Sequence, residues 1–150
     1  MRKVVVNSSP LIALGGIAQL HLLRTLYGSV MIPDAVYREI SAKPDSVCKK
    51  TVDEARDWIQ VYSIENLLAK NMFQSRLHAG EVEVLILAQE KAADLVIMDD
   101  ALAKRHARYL GMRVTGTLGV LMKARRENHI TALRPLIRKM QRIMCTYPMP

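Results

Sequence analysis

The sequence has little of what marks several specialised classes of protein. Its 150 residues include two cysteines, one tryptophan and one phenylalanine. Cys48 and Cys145 lie far apart and are too few for a disulfide framework or a thiolate zinc site. The scattered aromatic residues form no interleaved platform on which nucleotide bases could stack. Small disulfide-rich secreted proteins are therefore excluded, and we interpret both cysteines as reduced thiols of a cytoplasmic protein.

Long apolar runs are also missing. The longest uncharged stretch covers residues 4–23, but polar residues, glycines and Pro10 interrupt it. Because a transmembrane helix needs about 20 predominantly apolar residues, we predict that the chain does not associate with a membrane. Half of the residues are apolar and 24% are charged, a composition that favours one globular domain over residues 1–150.

Acidic residues are nearly absent from the last third of the chain. Residues 101–150 hold 11 lysines and arginines against the single acid Glu127, a net charge of +10, whereas residues 1–100 carry −2. A clustered positive field attracts polyanions and gains from counterion release, so nucleic acid is the favoured partner and an anionic membrane surface the second. A solvated helix surface remains the alternative explanation of the charge alone.

Short apolar runs alternate with longer segments of helical period, which predicts an α/β fold with a central, mainly parallel sheet of four to five strands. The predicted strands cover residues 3–6, 29–32, 59–62, 95–98 and 112–114, and the first, fourth and fifth are predicted to be central. The predicted helices cover residues 10–15, 19–27, 33–41, 52–58, 66–73, 80–91, 101–110, 118–127 and 131–144. We also predict an N-cap at Ser9, a C-cap at Gly111 and a surface loop over residues 42–50.

Polar residues follow each strand predicted to be central. They are Asn7-Ser8-Ser9, Asp99-Asp100 and Thr115-Gly116-Thr117. Because parallel strands end at one edge of a sheet, where ligands bind, the three clusters are expected to converge there. Helix capping is the alternative for any one cluster. Capping does not explain two adjacent aspartates, whose repulsion a divalent cation would relieve.

A further carboxylate, Glu81, opens a helix that is apolar on nearly all sides. We expect this helix to be buried against the sheet, with Glu81 near the same edge. A favourable charge in the first helical turn is the alternative role for Glu81. Glu83 lies roughly 200° further around the helix and is predicted to face solvent or an interface. The four histidines lack metal-binding spacing and are predicted to be structural or exposed.

Five segments, in this order, resemble the PIN domain family, especially its prokaryotic branch related to VapC-type toxins. They are VVNSSPLIAL at 5–14, IPDAVYRE at 32–39, AGE at 79–81, IMDD at 97–100 and VTGTLGVL at 114–121. The resemblance implies a three-layer α/β/α sandwich. It also implies a metal-dependent ribonuclease with three or four acidic residues, often a toxin that a cognate antitoxin neutralises.

The resemblance also implies roles for particular residues. The catalytic and metal-binding positions fall on Asn7, Glu81, Asp99 and Asp100, with Mg²⁺ or Mn²⁺ as cofactor. Among the substrate-binding residues, the resemblance places the motif hydroxyl on Ser9, and Thr115 and Thr117 occupy the neighbouring strand end. The basic charge of the last third, rather than the resemblance, adds Lys104, Arg105 and Arg108 as residues that would hold the RNA. Many relatives carry a fourth carboxylate shortly after the third, where this chain has Ala101, Leu102 and Ala103.

Asn7 is the departure from the family pattern that matters most. Its amide oxygen can coordinate Mg²⁺ or Mn²⁺ but brings no negative charge, so activity is expected to be weakened. A catalytically weak PIN-like module that binds RNA or protein is therefore the alternative function. Apolar residues on the helices between residues 11 and 37 also lead us to expect a homodimer.

Overall fold

A computed structural model describes residues 2–42, 47–72 and 77–146, apart from the side chains of residues 71–72 and 143–146. The strands are β1 (Val4–Val6), β2 (Val30–Pro33), β3 (Ile59–Tyr62), β4 (Leu95–Ile97) and β5 (Val114–Thr115). The helices are α1 (Ser8–Gly16), α2 (His21–Tyr27), α3 (Asp34–Ser41), α4 (Val47–Glu54), α5 (Leu67–Met72), α6 (Ala79–Glu90), α7 (Ala101–Tyr109), α8 (Thr117–Arg126) and α9 (Arg134–Thr146).

The five strands form one parallel sheet in the order β3-β2-β1-β4-β5. Strand β1 is the middle strand and pairs Val5 with Met31 of β2 and with Val96 of β4. Its three valines are fully or almost fully buried, as expected for a strand covered on both faces. The predicted α/β/α sandwich is confirmed, and every strand pairing is parallel.

Helix α6 lies at the centre of the packing. Its residues 80–88 are all buried, and the helix contacts β1, β2, β4, α3 and α5. Such a helix cannot be amphipathic, because each side of it faces protein. Helix α1 leaves the end of β1 and packs against α3, α4, α8 and α9. The residues that begin α1 and α6 are therefore fixed relative to the sheet.

The sheet order corrects one prediction about the strands. The fifth strand was predicted over residues 112–114 as a central strand, but β5 is the two-residue edge strand Val114–Thr115. Hydrogen bonds place it, since the Val96 N–H donates to the Arg113 carbonyl and the Met98 N–H to the Thr115 carbonyl. Strand β2 takes the internal place instead, next to β1.

Two local predictions are wrong at helix starts. Helix α1 begins at Ser8 with Asn7 as N-cap, so Ser9 lies inside the first turn and does not cap it. Helix α4 begins at Val47, within the stretch predicted as a loop, because Cys48 and Val52 are four residues apart and both buried. Residues 43–46 of that stretch, like residues 73–76, lie outside the described residues.

Helix α7 ends beside Gly111, as predicted, but its C-cap residue is Leu110, and Gly111 follows with a positive φ of 81°. Burial raises the pKa of the Cys48 thiol to about 12, so this cysteine stays protonated at neutral pH. The side chain of Cys145 lies outside the described part of the chain. None of the helices in the described ranges is long and apolar enough to cross a membrane.

The apolar residues that led us to expect a homodimer lie mostly inside the protein. The buried ones include Leu11, Leu14, Leu22, Leu23 and Val36, which are at most 1% exposed. They are accounted for by the core of one chain. Self-association therefore stays a prediction without support from these residues.

Candidate active site

The candidate site lies at the edge of the sheet where the parallel strands end. Asn7 follows β1, Asp99 and Asp100 follow β4, and Gly116 and Thr117 follow β5. The Asn7 N–H donates to the Ile97 carbonyl at 2.9 Å, which continues the β1–β4 ladder and fixes Asn7 beside the end of β4. The predicted convergence of these three chain segments is therefore present.

Asn7 is 2% exposed, and its side-chain oxygen Oδ1 is buried without a hydrogen-bond partner in the described residues. Asn7 is the N-cap residue of α1, yet its side chain makes no capping hydrogen bond. An unpartnered buried amide oxygen costs about 1–3 kcal/mol, so proteins seldom retain one without a reason. A ligand that accepts electron density from this oxygen would supply the missing partner.

Glu81 occupies the first turn of α6 and is 6% exposed. Its Oε1 accepts the His78 backbone N–H at 2.9 Å, the glutamate half of a capping box. Burial raises the pKa of Glu81, and the negative charges of Asp100 and Glu39 raise it further, against the lowering effect of the His78 N–H. The carboxylates of Asp100 and Glu39 are thus close enough to Glu81 to raise its pKa by repulsion.

Glu39 was not among the predicted site residues. Its Oε2 accepts the Ser8 hydroxyl at 2.7 Å, and its carboxylate lies against Gly80, where an added Cβ would collide with it. Glu39 therefore connects the start of α1 with the start of α6. The segment at 32–39 that resembles the PIN family ends on this residue, so the signal was present. Its place within a helix, away from any strand end, concealed it.

Asp99 and Asp100 have separate local roles. The two carboxylate oxygens of Asp99 accept the Thr117 N–H at 2.7 Å and the Thr117 hydroxyl at 2.6 Å. Asp100 is the N-cap of α7, and its Oδ2 accepts the Ala103 N–H at 2.8 Å. Asp99 therefore ties the start of α8 to the end of β4, whereas Asp100 is exposed and interacts electrostatically with Glu81.

The predicted substrate-binding residues surround this edge at different depths. Thr117 is buried and contacts Asp99, and the side chain of Thr115 packs against Gly119. Ser9 is half-buried in the first turn of α1. Lys104 places its ammonium group beside Gly116, where an added Cβ would lie 2.9 Å from Nζ and 2.7 Å from Asp99 Oδ1. Arg105 and Arg108 are exposed on the same helix, α7.

Glu83 differs from its prediction. It is 3% exposed and faces neither solvent nor an open surface, because α3 and α5 cover the side of α6 that carries it. Its carboxylate accepts the Ala35 N–H at 3.1 Å and the Lys70 ammonium at 2.9 Å. The helical repeat placed Glu83 correctly away from Glu81, but it could not show that a second helical layer lies there.

The donors at this edge fit a hard divalent cation in type. Asn7 offers an unpartnered oxygen, and Glu81 and Asp100 are mutually repelling carboxylates. Within residues 2–42, 47–72 and 77–146, no three Asp, Glu, His or Cys side chains are grouped so that they could hold a metal ion. Magnesium requires only one or two protein carboxylates and keeps several waters. A site with an amide and two carboxylates is compatible with that need.

A family model described as a PIN domain matches residues 3–148, nearly the whole chain. This chain belongs to the PIN domain family. The match supports the family assignment made from the five segments, although it does not distinguish the toxin branch. PIN domains are generally nucleases, so this PIN domain has a nuclease-type fold.

Solved structures similar to this PIN domain include a domain of a functionally unknown protein from Methanocaldococcus jannaschii. That domain is 14% identical in sequence, with a TM-score of 0.51, and the match covers 77% of the present chain and 91% of the archaeal one. At this identity the likeness concerns the fold alone. None of the curated proteins matches the chain.

The role of Asp99 at the start of α8 leads to a prediction about stability. Asp99→Ala would leave the buried Thr117 N–H without its acceptor, so the free energy of unfolding should fall by about 1–3 kcal/mol. Urea denaturation measures this loss. Asp53→Ala is the control, because Asp53 is exposed on α4 and its hydrogen bonds with Lys49 and Tyr37 lie at the surface. Equal losses in the two variants would contradict a specific role for Asp99.

Proposed function

We propose that this PIN domain is a Mg²⁺- or Mn²⁺-dependent endoribonuclease of the toxin-like kind, which hydrolyses phosphodiester bonds in RNA. The observation that carries the proposal is the buried side-chain oxygen of Asn7, which has no hydrogen-bond partner in the described residues. It lies at the same edge as Glu81, a carboxylate whose pKa is raised by burial and by neighbouring negative charges. The chain connects the two residues through Ser8, Glu39 and Gly80. An amide oxygen without a partner and mutually repelling carboxylates at one edge of the sheet favour a divalent cation as the ligand.

In this proposal Asn7, Glu81 and Asp100 would hold the cation. When bound, the cation lowers the pKa of a water molecule and stabilises negative charge on a leaving oxygen. Glu39 holds the Ser8 hydroxyl and contacts Gly80, so it keeps the starts of α1 and α6 together. Asp99 keeps the start of α8 beside the end of β4, and Lys104 supplies a positive charge next to it for a phosphate group.

The partners in this proposal follow from charge. Lys104, Arg105 and Arg108 lie on α7, the helix that Asp100 caps, so an RNA strand at the acidic edge has cations beside it. The strongly basic C-terminal third extends the same positive field. A toxin-like role also implies a cognate antitoxin as a protein partner, and the basic third would attract an acidic segment of it.

A second candidate function is a PIN-like module that binds RNA or a protein without cutting. Two observations favour it, the neutral residue Asn7 at the first acidic position and the hydrogen bonds that occupy both oxygens of Asp99. In that case RNA binding should persist in a chelator and cleavage should stay absent when Mn²⁺ is added.

Cleavage of RNA with Mn²⁺ and with excess chelator decides between the two functions. We expect Mn²⁺-dependent cleavage that chelator abolishes and that Asp100→Asn lowers by about 10-fold or more, since Asp100 would be a ligand. Asp94→Asn, at the opposite end of β4, is the matched control and should cleave like the unaltered protein. Cleavage that persists in chelator, or an unaltered rate in Asp100→Asn, would contradict the proposed site.

A further inference from the structure

The buried carboxylate of Glu83 lies between three helices. Its Oε1 accepts the Ala35 N–H from α3, and its Oε2 accepts the Lys70 ammonium from α5, at 3.1 Å and 2.9 Å. A buried carboxylate requires compensation by charge and hydrogen bonds, and these two contacts engage both of its oxygens. The needs of Glu83 are therefore met by Ala35 and Lys70.

Arg38 is a second cation at the same carboxylate, and neutralising Glu83 does not require it because Lys70 already does so. Its guanidinium lies 3.6 Å from Glu83 Oε2, while its side chain is 65% exposed. Lys70 is also 38% exposed, although it is hydrogen-bonded. Arg38, Lys70 and Glu83 together leave one net positive charge at the surface. That charge is available to an anion from solution, because much of both cationic side chains remains accessible.

This cationic pair lies close to the acidic edge. Glu83 is three residues after Gly80, which corresponds to about 4.5 Å along α6. Gly80 contacts the carboxylate of Glu39, the residue that follows Arg38 in α3. Helix α3 follows β2, on one side of β1, whereas α7 with Lys104 follows β4, on the other side. Cations therefore lie on both sides of the end of β1.

We infer that Arg38 and Lys70 bind backbone phosphates of a single-stranded RNA on the α3–α5 side of the acidic edge. The inference rests on the proposed function and adds to it the path of the strand. A strand cut in its interior has phosphates on both sides of the scissile bond, and acidic residues at the site repel them. Cations on one side only would leave half of that repulsion unopposed. Arg38 and Lys70 supply the second side.

Binding of a labelled single-stranded oligouridine, measured by fluorescence anisotropy over a range of salt in excess chelator, tests this inference. Each phosphate neutralised in a single strand contributes roughly 0.7 to the slope of log affinity against log salt. The double variant Arg38→Met/Lys70→Met should therefore flatten the slope by about 1.4. Arg38→Met alone should flatten it by about 0.7, and this exposed substitution does not leave Glu83 without its hydrogen bonds.

The control variant is Arg24→Met/Lys50→Met. Arg24 is 61% exposed and lies 3.9 Å from Asp57, so it matches Arg38 in exposure and in its weak ion pair, and Lys50 is exposed on α4. The control should keep the unaltered slope, and Arg38→Lys should restore it because the charge returns. An equal slope in Arg38→Met and the unaltered protein would overturn the inference, as would RNA binding without salt dependence.

The chelator separates this test from the test of the nuclease. No cleavage is needed for the binding signal, so a protein that fails to cut RNA with Mn²⁺ can still show the flattened slope. In that case Arg38 and Lys70 would still be RNA-binding residues, whereas the proposed nuclease activity would be wrong. If the double variant instead loses binding to an acidic peptide while its RNA slope is unchanged, the pair belongs to a protein interface and the inference is wrong.

Discussion

Asn7→Asp is expected to raise the affinity for Mn²⁺ by at least about tenfold and to increase the rate of RNA cleavage. Changes to groups that merely orient metal ligands alter affinity by about 10–100-fold, and a charge added at a ligand position should do no less. The substitution keeps the size of the side chain and changes Oδ1 from an amide oxygen to a carboxylate oxygen. Isothermal titration calorimetry with Mn²⁺ measures the affinity directly.

The same substitution should have the opposite effect on the protein without metal. A buried carboxylate at position 7 would add a negative charge to the edge that holds Glu81, where the charges of Asp100 and Glu39 already raise the pKa of Glu81. Asn7→Asp should therefore lower the melting temperature in chelator and recover it when Mn²⁺ is added, since binding to the folded state stabilises it.

Asn128→Asp is the control for the added charge. Asn128 is exposed, beyond the end of α8, and has a positive φ of 62° that aspartate also tolerates. This variant should bind Mn²⁺ with unaltered affinity. If Asn7→Asp also left the affinity unaltered, position 7 would not be a ligand position and the carry-over from the PIN family would be wrong there.

Glu81→Gln is expected to remove Mn²⁺-dependent cleavage, by about 100-fold or more, and at the same time to stabilise the metal-free protein at neutral pH. Loss of a ligand should exceed the 10–100-fold cost of losing a group that orients one. Glutamine keeps an oxygen that can accept the His78 N–H, so the capping interaction survives. A variant that loses activity but gains stability indicates that the charge of the original residue serves function at the expense of stability.

The sign of the pH dependence follows from the direction of the pKa shift. Because the folded-state pKa of Glu81 is raised above its usual 4.5, the folded protein binds this proton more tightly than the unfolded chain. The contribution of Glu81 to the free energy of unfolding is thus lost as the pH rises from about 4.5 through the folded-state pKa. The stability gained by Glu81→Gln should appear across that window and persist above it.

Urea denaturation in chelator, at pH values from 4 to 7, measures the difference between Glu81→Gln and the unaltered protein. Glu54→Gln, on the exposed side of α4, removes one carboxylate without changing the acidic edge and is the control for the loss of a charge. A difference for Glu81→Gln that stays flat across this pH range would show that the folded-state pKa of Glu81 is not raised.

The parts of the fold that were predictable depend on short-range patterns. The boundaries of β3 match the prediction, because Ile59–Tyr62 is a short stretch rich in β-branched and aromatic residues, and the start of α7 matches because Asp100 caps it. Strand β5 was misplaced since its two residues are selected by hydrogen bonds to β4, which no local pattern encodes. Glu83 was misjudged because burial there depends on two other helices.

The candidate site was predictable to the same extent. The strand ends placed Asn7, Asp99 and Asp100 at one edge, as found. The sequence could not show that Asp99 accepts hydrogen bonds from the Thr117 N–H and hydroxyl, whereas Asp100 caps α7. Glu39 was missed because its approach to Gly80 depends on how α3 packs against α6. Which of these residues bind metal or RNA stays a prediction.

The central place of β1 has a consequence for synthesis on the ribosome. On one side β1 pairs with β4, which lies some 90 residues later in the chain. Strand β5, later still, pairs with β4. Domains emerge from the amino terminus, and pairings this distant form slowly. A nascent chain that ends before Leu95 therefore leaves one flank of β1 open and has no Asp100 beside Glu81. A growing chain thus acquires its acidic edge only after Asp100 has been synthesised and β4 has paired with β1.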